Sequence, residues 1–138
     1  MMDKLTQKSQ EALKAAQELA REWSHQELDG AHLALALTRQ TDTIVPTLLQ
    51  RVGVDLASWE SDLNAELDRS AQVEGVSASD VFLSRDLKQA LDRAEQEAKA
   101  LADEYLSAEH LLLGLLECGA ALKKLFQRHD VERSVLLE

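Results

Sequence analysis

The sequence contains very few cysteine, proline, glycine and aromatic residues, and the shortage of cysteine excludes a disulfide framework. The single cysteine, Cys118, has no partner for an internal disulfide, which suits the reducing cytosol. We expect it to serve as a small apolar residue on a helix. No stretch approaches the roughly 18 apolar residues of a membrane span, and the N-terminus lacks the apolar core of a signal peptide. We therefore expect a soluble, cytoplasmic protein with no membrane contact.

Basic residues are also scarce relative to acidic ones. The chain carries 15 lysines and arginines against 25 aspartates and glutamates, which gives a formal net charge of -10. Such a balance repels phosphate backbones, and the cations form no cluster along the chain, so nucleic acid is not an expected ligand. Most of the acidic residues are expected to lie on solvated helix faces.

Motifs for catalysis, nucleotide binding and metal binding are missing from the sequence. It has neither of the glycine-rich phosphate-binding motifs, no nucleophile elbow and no His-Glu-x-x-His pair. The histidines at positions 25, 32, 110 and 129 lack metal-ligand spacing. We therefore expect no catalytic residue, no metal and no cofactor in this segment.

Residues that favour helices dominate the composition. Alanine, leucine, glutamate, glutamine and lysine are abundant, whereas no stretch is typical of a strand. A chain of 138 residues can bury an ordinary core without a disulfide or a metal. We therefore predict an all-α fold in one globular domain.

A shift of 78 residues aligns the chain with itself. Apolar positions spaced three and four apart predict a buried helix stripe in each copy. The stripe and its copy consist of Leu13, Ala16, Ala20 and Trp23, and of Leu91, Ala94, Ala98 and Leu101. The shift also aligns Thr6 with Ser84, which are expected to cap helices, and His32 with His110. Both histidines stand at the third position of their helices and are interpreted as polar residues that serve the helix start. The chain is therefore interpreted as a tandem duplication.

Each copy is predicted to contain four helices. They span 7–23, 30–39, 44–52 and 56–69 in the first copy, and 85–101, 108–117, 121–128 and a stub from about 132 in the second. The first repeat then covers about 1–69, an exposed linker about 70–82, and the second repeat about 83–138. Because the stub is shorter than its counterpart, we expect a truncated last helix and a domain taken from a longer protein. The two four-helix units are expected to pack as one pseudo-twofold globule.

Differences between the two copies indicate candidate functional residues. Glu109 corresponds to Ala31, and Asp103 corresponds to His25. If the fold required these carboxylates, both copies would be expected to carry them, so recognition stands beside structure as an equal interpretation. A carboxylate pair next to apolar helix surface can hold the backbone N–H groups or basic side chains of an extended peptide. For Glu109 alone, a favourable interaction with the positive end of its helix is the structural alternative.

Four segments of the chain carry a family resemblance. They read DKLTQKSQEAL, HQELDGAHLALAL, QVEG at the linker, and DEYLSAEHLLLGLLE. Together they resemble the double Clp-N domain of the Clp family of AAA+ chaperones, and most closely its ClpB-type disaggregases. The resemblance implies a substrate-binding and regulatory domain that weakly captures unfolded or aggregated polypeptides for a hexameric, ATP-driven threading ring outside this chain. ATP and magnesium are then expected only for the full-length protein.

The same resemblance implies site residues. In ClpB-type domains, a threonine that opens the first helix and two acidic residues around the start of the sixth are associated with substrate handling. The matching positions here are Thr6, Asp103 and Glu109. Leu13 and Leu91 are candidates for an adjoining apolar groove, but both equally suit the helix core, which is the favoured interpretation.

Three alternatives stand beside this interpretation. Within the family, the chain also resembles the adaptor- or substrate-docking N-domain of a protease-coupled ClpC- or ClpA-type unfoldase, although Ala31 departs from that pattern. A hydrolase using Glu109 and His110 is disfavoured, because adjacent helix residues point about 100° apart. A purely structural domain would self-associate, whereas we expect an isolated monomer. An adaptor or co-chaperone remains open as a further partner.

Overall fold

The computed structural model describes residues 4–70 and 81–137, which form eight helices and two short strands. The first unit contains α1 (Gln7–Glu22), β1 (Glu27–Leu28), α2 (Gly30–Arg39), α3 (Ile44–Arg51) and α4 (Leu56–Asp68). The second contains β2 (Phe82–Leu83), α5 (Arg85–Ala100), α6 (Ala108–Leu115), α7 (Gly119–Arg128) and α8 (Arg133–Leu136). The predicted all-α class is confirmed. Most of the predicted linker, residues 71–80, lies outside the described residues.

Polar side chains begin the helices as the sequence predicts. The Thr6 hydroxyl accepts a hydrogen bond from the Ser9 N–H at 3.2 Å, and the Ser84 hydroxyl accepts one from the Leu87 N–H at 3.0 Å. Each cap satisfies a backbone donor that has no partner inside the first turn. These two helix starts therefore have the same structure in both copies.

The helices α2 and α6 also begin alike, each through a histidine at its third position. Nδ1 of His32 accepts from the Asp29 N–H, and Nδ1 of His110 accepts from the Ser107 N–H, both at 2.9 Å. Each histidine thus takes the place that glutamate or glutamine usually has in a capping box. The predicted role of both histidines at the helix start is confirmed.

The expectation of no strands is wrong, because the two units are joined by short parallel pairings. In the first seam, Leu5 bridges to Leu106, and in the second seam β1 pairs with β2. The Thr6 N–H donates to the Leu106 carbonyl at 3.1 Å, and the Ser84 N–H donates to the Leu28 carbonyl at 2.9 Å. The repeat shift relates these two bonds, so each unit contributes one half of both seams. Pairings this short have no alternating pattern for a sequence to reveal.

The core is built around α2 and α6, which are buried along nearly their whole length. The rings of Trp59 in α4 and Phe126 in α7 stack across the two units with centroids 5.1 Å apart. Trp59 is fully buried, and its indole N–H donates to the Thr38 hydroxyl at 2.9 Å. One continuous hydrophobic cluster therefore includes residues of both units.

One predicted member of the core stripe is outside it. Leu101 is 43% exposed, because α5 ends at Ala100 and Ala102 turns the backbone to a φ of +58°. Leu101 thus lies beyond the last helical residue. Its counterpart Trp23 is only partly buried and also follows the end of its helix.

Candidate functional site

The first seam holds the start of α1 against the segment that joins α5 to α6. The Leu106 N–H donates to the Lys4 carbonyl at 2.8 Å. The Leu106 carbonyl accepts from the Thr6 N–H at 3.1 Å and from the Ser9 hydroxyl at 2.8 Å. Since Leu106 stands between Asp103 and Glu109 in the chain, the seam brings all three acidic or polar candidates from the sequence to one junction.

Asp103 has a structural partner that the sequence did not reveal. Its Oδ2 lies 2.8 Å from Nε2 of His110, and half of its side chain remains exposed. Because Nδ1 of His110 accepts from the Ser107 N–H, the ring proton is on Nε2 and is donated to the carboxylate. Asp103 therefore fixes His110 with one oxygen and presents its remaining surface to solvent.

Glu109 lies in the first turn of α6 and is partly buried. A carboxylate there interacts favourably with the positive end of the helix. Within the described residues, its side chain has no hydrogen bond or ion pair to another side chain. Its oxygens are therefore available to a ligand.

Exposed apolar side chains stand next to these acids in the chain. In the α5–α6 turn, residues 101–107, Leu101 is 43% and Tyr105 is 55% exposed, and Glu104 is exposed as well. In the matching turn of the first unit, Trp23 instead stacks on His25 with ring centroids 5.9 Å apart. The sequence analysis missed Leu101 and Tyr105 as surface residues, and only the helix end before Ala102 would have indicated their exposure.

The two leucine candidates have different surroundings. Leu91 in α5 is 5% exposed and belongs to the core, whereas Leu13 in α1 is partly buried and packs against it. Their packing agrees with the favoured core interpretation. A direct contact between Leu91 and a client would require local opening, so the groove role of both leucines stays a prediction.

The contrast between Asp103 and His25 has a structural explanation. Nε2 of His32 lies 2.8 Å from Nδ1 of His25, and the repeat shift relates this pair to Asp103 and His110. Both copies thus provide an acceptor for the capping histidine, and His25 supplies it in the first. For Asp103, this contact supports the structural interpretation, while its role in recognition stays a prediction. The contrast between Glu109 and Ala31 still has no such explanation.

Burial controls the protonation of His25, His32 and Cys118. Desolvation, with the charge of His25 adding to it, lowers the pKa of His32 to about 4. Desolvation also lowers the pKa of His25 and raises the pKa of Cys118 to about 12. The buried Cys118 thiol is thus unreactive near neutral pH. It is a packing residue as expected, but it lies in the turn before α7 and not on a helix.

The sequence model of the Clp repeat N-terminal domain matches residues 4–129. The chain belongs to this family. This chain is 42% identical over 116 residues to chaperone protein ClpB of Nitratidesulfovibrio vulgaris, and the alignment covers 83% of the chain and 13% of that relative. It is 36% identical over 136 residues to chaperone protein ClpB 1 of Parasynechococcus marenigrum, covering 99% of the chain and 16% of that relative. The Clp N-terminal domain thus spans less than a fifth of the length of these relatives.

A solved structure supports the same fold for the Clp N-terminal domain. The Hsp104 N-terminal domain from Candida albicans superposes with a TM-score of 0.82 at 21% identity, covering 96% of this chain and 85% of that one. In the described part of the Clp N-terminal domain, no helix has the length and apolar character needed to cross a membrane. The same residues contain no cluster of three or more potential metal ligands.

Proposed function

We propose that this domain weakly binds unfolded or aggregated polypeptides and delivers them to AAA+ modules outside this chain, as part of an ATP-dependent disaggregase. The first seam carries the proposal, because it holds Thr6 against the turn that contains Asp103 and precedes Glu109. For the whole protein, the proposal includes ATP and magnesium, a hexameric ring and a cytoplasmic location. The isolated domain is proposed to be a monomer.

The chemistry of this surface suits an extended, unfolded segment. Leu101 and Tyr105 offer apolar area, while Asp103, Glu104 and Glu109 offer acceptors for backbone N–H groups and basic side chains. No enclosed pocket for a small molecule is needed. Weak capture is sufficient next to a motor, because tethering raises the local concentration of the client without slowing its release.

Hydrolysis by Glu109 and His110 has less support than binding. Both ring nitrogens of His110 are engaged, one by the Ser107 N–H and the other by Asp103. The ring is also only 3% exposed. A general base needs a free nitrogen within reach of the substrate, and His110 offers none in this arrangement.

The test is an NMR titration of the labelled domain with a permanently unfolded, non-aggregating polypeptide. Two variants separate recognition from structure. Glu109→Ala removes the carboxylate at the helix start, whereas Asp103→Asn removes a charge but keeps an oxygen that can accept from His110. Asp68→Ala is the matched control, because it removes an exposed carboxylate from the end of α4.

We expect localised shifts at the amides of Thr6, Asp103 and Glu109, with binding weakened severalfold by both site variants and unchanged by the control. Circular dichroism should show an intact helical fold in each variant. The proposal fails if the folded domain shows no shifts at high polypeptide concentration. It also fails if Asp68→Ala weakens binding as much as Glu109→Ala does, since general electrostatics would then account for it.

A further inference from the structure

The two capping histidines have chemically different partners, although the repeat shift relates them. His110 donates to the half-exposed carboxylate of Asp103, whereas His32 donates to the buried ring of His25. His25 and His32 are each 2% exposed. The two copies therefore contain the same capping histidine with two different partners.

The protons of the His25–His32 pair follow from its hydrogen bonds. Nδ1 of His32 accepts from the Asp29 N–H at 2.9 Å, so the proton of His32 is on Nε2. That proton is donated to Nδ1 of His25 at 2.8 Å, so the proton of His25 is on its own Nε2. Both rings are thus neutral. Adding a proton to either Nδ1 atom would remove the acceptor of one of these two bonds.

Protonation is more costly in the first unit than in the second. In either copy the second proton would go to Nδ1 and break the backbone cap. An imidazolium at His110 would still donate to the carboxylate of Asp103, whereas an imidazolium at His32 would face another ring inside the core. Two carboxylates, Glu27 and Asp29, line the cavity of about 180 Å³ beside the histidine pair. From the other elements around this cavity, the described residues contribute Ser70 and Phe82, which carry no charge. Asp29 favours a charged His32, but desolvation and His25 outweigh it.

The pair brackets the strand that forms the second seam. Between His25 and His32, the Gln26 carbonyl accepts from the Phe82 N–H and the Leu28 carbonyl accepts from the Ser84 N–H, both at 2.9 Å. The Asp29 carboxylate also accepts from the Ser84 hydroxyl at 2.8 Å. Loss of the histidine bonds would free both ends of β1 at the same time.

We infer that the His25–His32 pair makes the second seam acid-sensitive, whereas the Asp103–His110 pair leaves the first seam comparatively insensitive. Acid then loosens the two seams unequally. The His25–His32 pair lies at the link between the repeats. Its protonation therefore affects how the units are held together and does not depend on client binding.

Amide hydrogen exchange measured by NMR between pH 7 and pH 5 tests this inference on the unmodified domain. Phe82 and Ser84 report the second seam, and Thr6 and Leu106 report the first. When local opening exposes a buried neutral histidine, the ring regains its ordinary pKa. Its protonation then favours the open state by a factor of about 20 more at pH 5 than at pH 7. After correction for intrinsic exchange, we expect protection at Phe82 and Ser84 to fall at least about twentyfold relative to Thr6 and Leu106, with a larger loss if opening frees both rings. Equal changes at the two seams would overturn the inference.

Exchanging the partners provides the matched variants. His25→Asp gives His32 a carboxylate partner like the one that His110 has. It should remove most of the excess loss of protection at Phe82 and Ser84. The reciprocal Asp103→His should transfer the loss to Thr6 and Leu106. His129→Gln removes a histidine bound to Asp62 away from both seams and should leave the difference unchanged. If His25→Asp does not fold, Asp103→His and the unmodified domain still decide, and a first seam that stays acid-insensitive in Asp103→His contradicts the inference.

Discussion

Gly114 shows how a single residue sets the distance between two helices. A Cβ atom at this position of α6 would lie 2.3 Å from the Ala90 carbonyl oxygen and 2.9 Å from the Ala94 Cβ of α5. Both neighbours are fixed parts of a helix and cannot rotate away. The counterpart in the first unit is Ala36, so α1 and α2 accommodate a methyl group that α5 and α6 do not.

We therefore expect Gly114→Ala to destabilise the domain, even though alanine favours helices by about 1 kcal/mol over glycine. Overpacking of this kind costs about 1–3 kcal/mol, which exceeds the gain in propensity. Urea unfolding followed by circular dichroism measures the net change. Ala36→Gly is the comparison and should lose about 1 kcal/mol for the opposite reason, lower helix propensity. A stabilised Gly114→Ala would show that the two helices can separate at little cost.

Local sequence patterns predict the role of a side chain better than they predict its partner. Thr6, Ser84, His32 and His110 could be assigned to helix starts, because capping depends on residues three apart in the chain. The partner of each histidine stands seven residues earlier, directly after Ser24 or Ala102, which turns the backbone with a positive φ. Neither residue is a glycine that would signal such a turn. The sequence therefore indicated a difference at Asp103 but not its structural cause.

An ion pair links the short helix α8 to α5. Arg133 donates two hydrogen bonds to the Glu97 carboxylate, from Nε to Oε2 at 2.6 Å and from Nη2 to Oε1 at 3.0 Å. Glu97 is only 8% exposed, because it lies on the buried face of α5. The shift of 78 places Leu19 opposite Glu97, and after the loss of one residue between the helices a shift of 77 places Leu56 opposite Arg133. The positions that form an ion pair in one copy are thus both apolar in the other.

The double variant Glu97→Leu with Arg133→Leu should come close to the stability of the unmodified domain, because replacing a buried ion pair by apolar side chains is often neutral and the first unit has leucine at both positions. Arg133→Leu alone should be clearly less stable, since it leaves the Glu97 carboxylate buried without its partner. A double-mutant cycle from urea unfolding measures this coupling. If both single variants and the double variant lose equal stability, the ion pair does not hold α8 in place.

Helix faces were more predictable than contacts between helices. The stripe of α5 from Leu91 to Ala98 is buried as its spacing predicts. Leu101 fails because the same spacing continues past the point where the helix ends. The Glu97–Arg133 contact could not be predicted from the sequence, because a glutamate in a helix is normally expected to face solvent. Patterns along the chain predict a face, whereas charge pairing depends on which helix lies opposite.

Reciprocal exchange of short segments makes the two repeats one structure. Leu5 is 4% exposed where it bridges to the second unit, whereas its counterpart Leu83 in β2 is only partly buried. The two seams were not predictable, since they join residues about 55 and 100 positions apart through one or two pairs each. The repeat itself was predictable, but its interlocking was not.

Leu5→Ala should therefore destabilise the domain by about 2–5 kcal/mol, the usual cost of truncating a buried leucine. Leu83→Ala removes the same atoms from a more exposed place, so we expect a smaller loss. Chemical denaturation with equal slopes for both variants checks the comparison. An equal or larger loss for Leu83→Ala would mean that the second seam contributes more to stability than its burial indicates.

Interlocking should also make the domain unfold as one cooperative unit. Both tryptophans, Trp23 and Trp59, belong to the first repeat, whereas helical circular dichroism reports both repeats. Because Trp59 stacks on Phe126 and both seams cross between the units, the first repeat cannot unfold without exposing the core of the second. We expect urea curves from tryptophan fluorescence and circular dichroism to share one midpoint, as a two-state transition requires. A second dichroism transition without a fluorescence change would instead show that the second repeat folds independently.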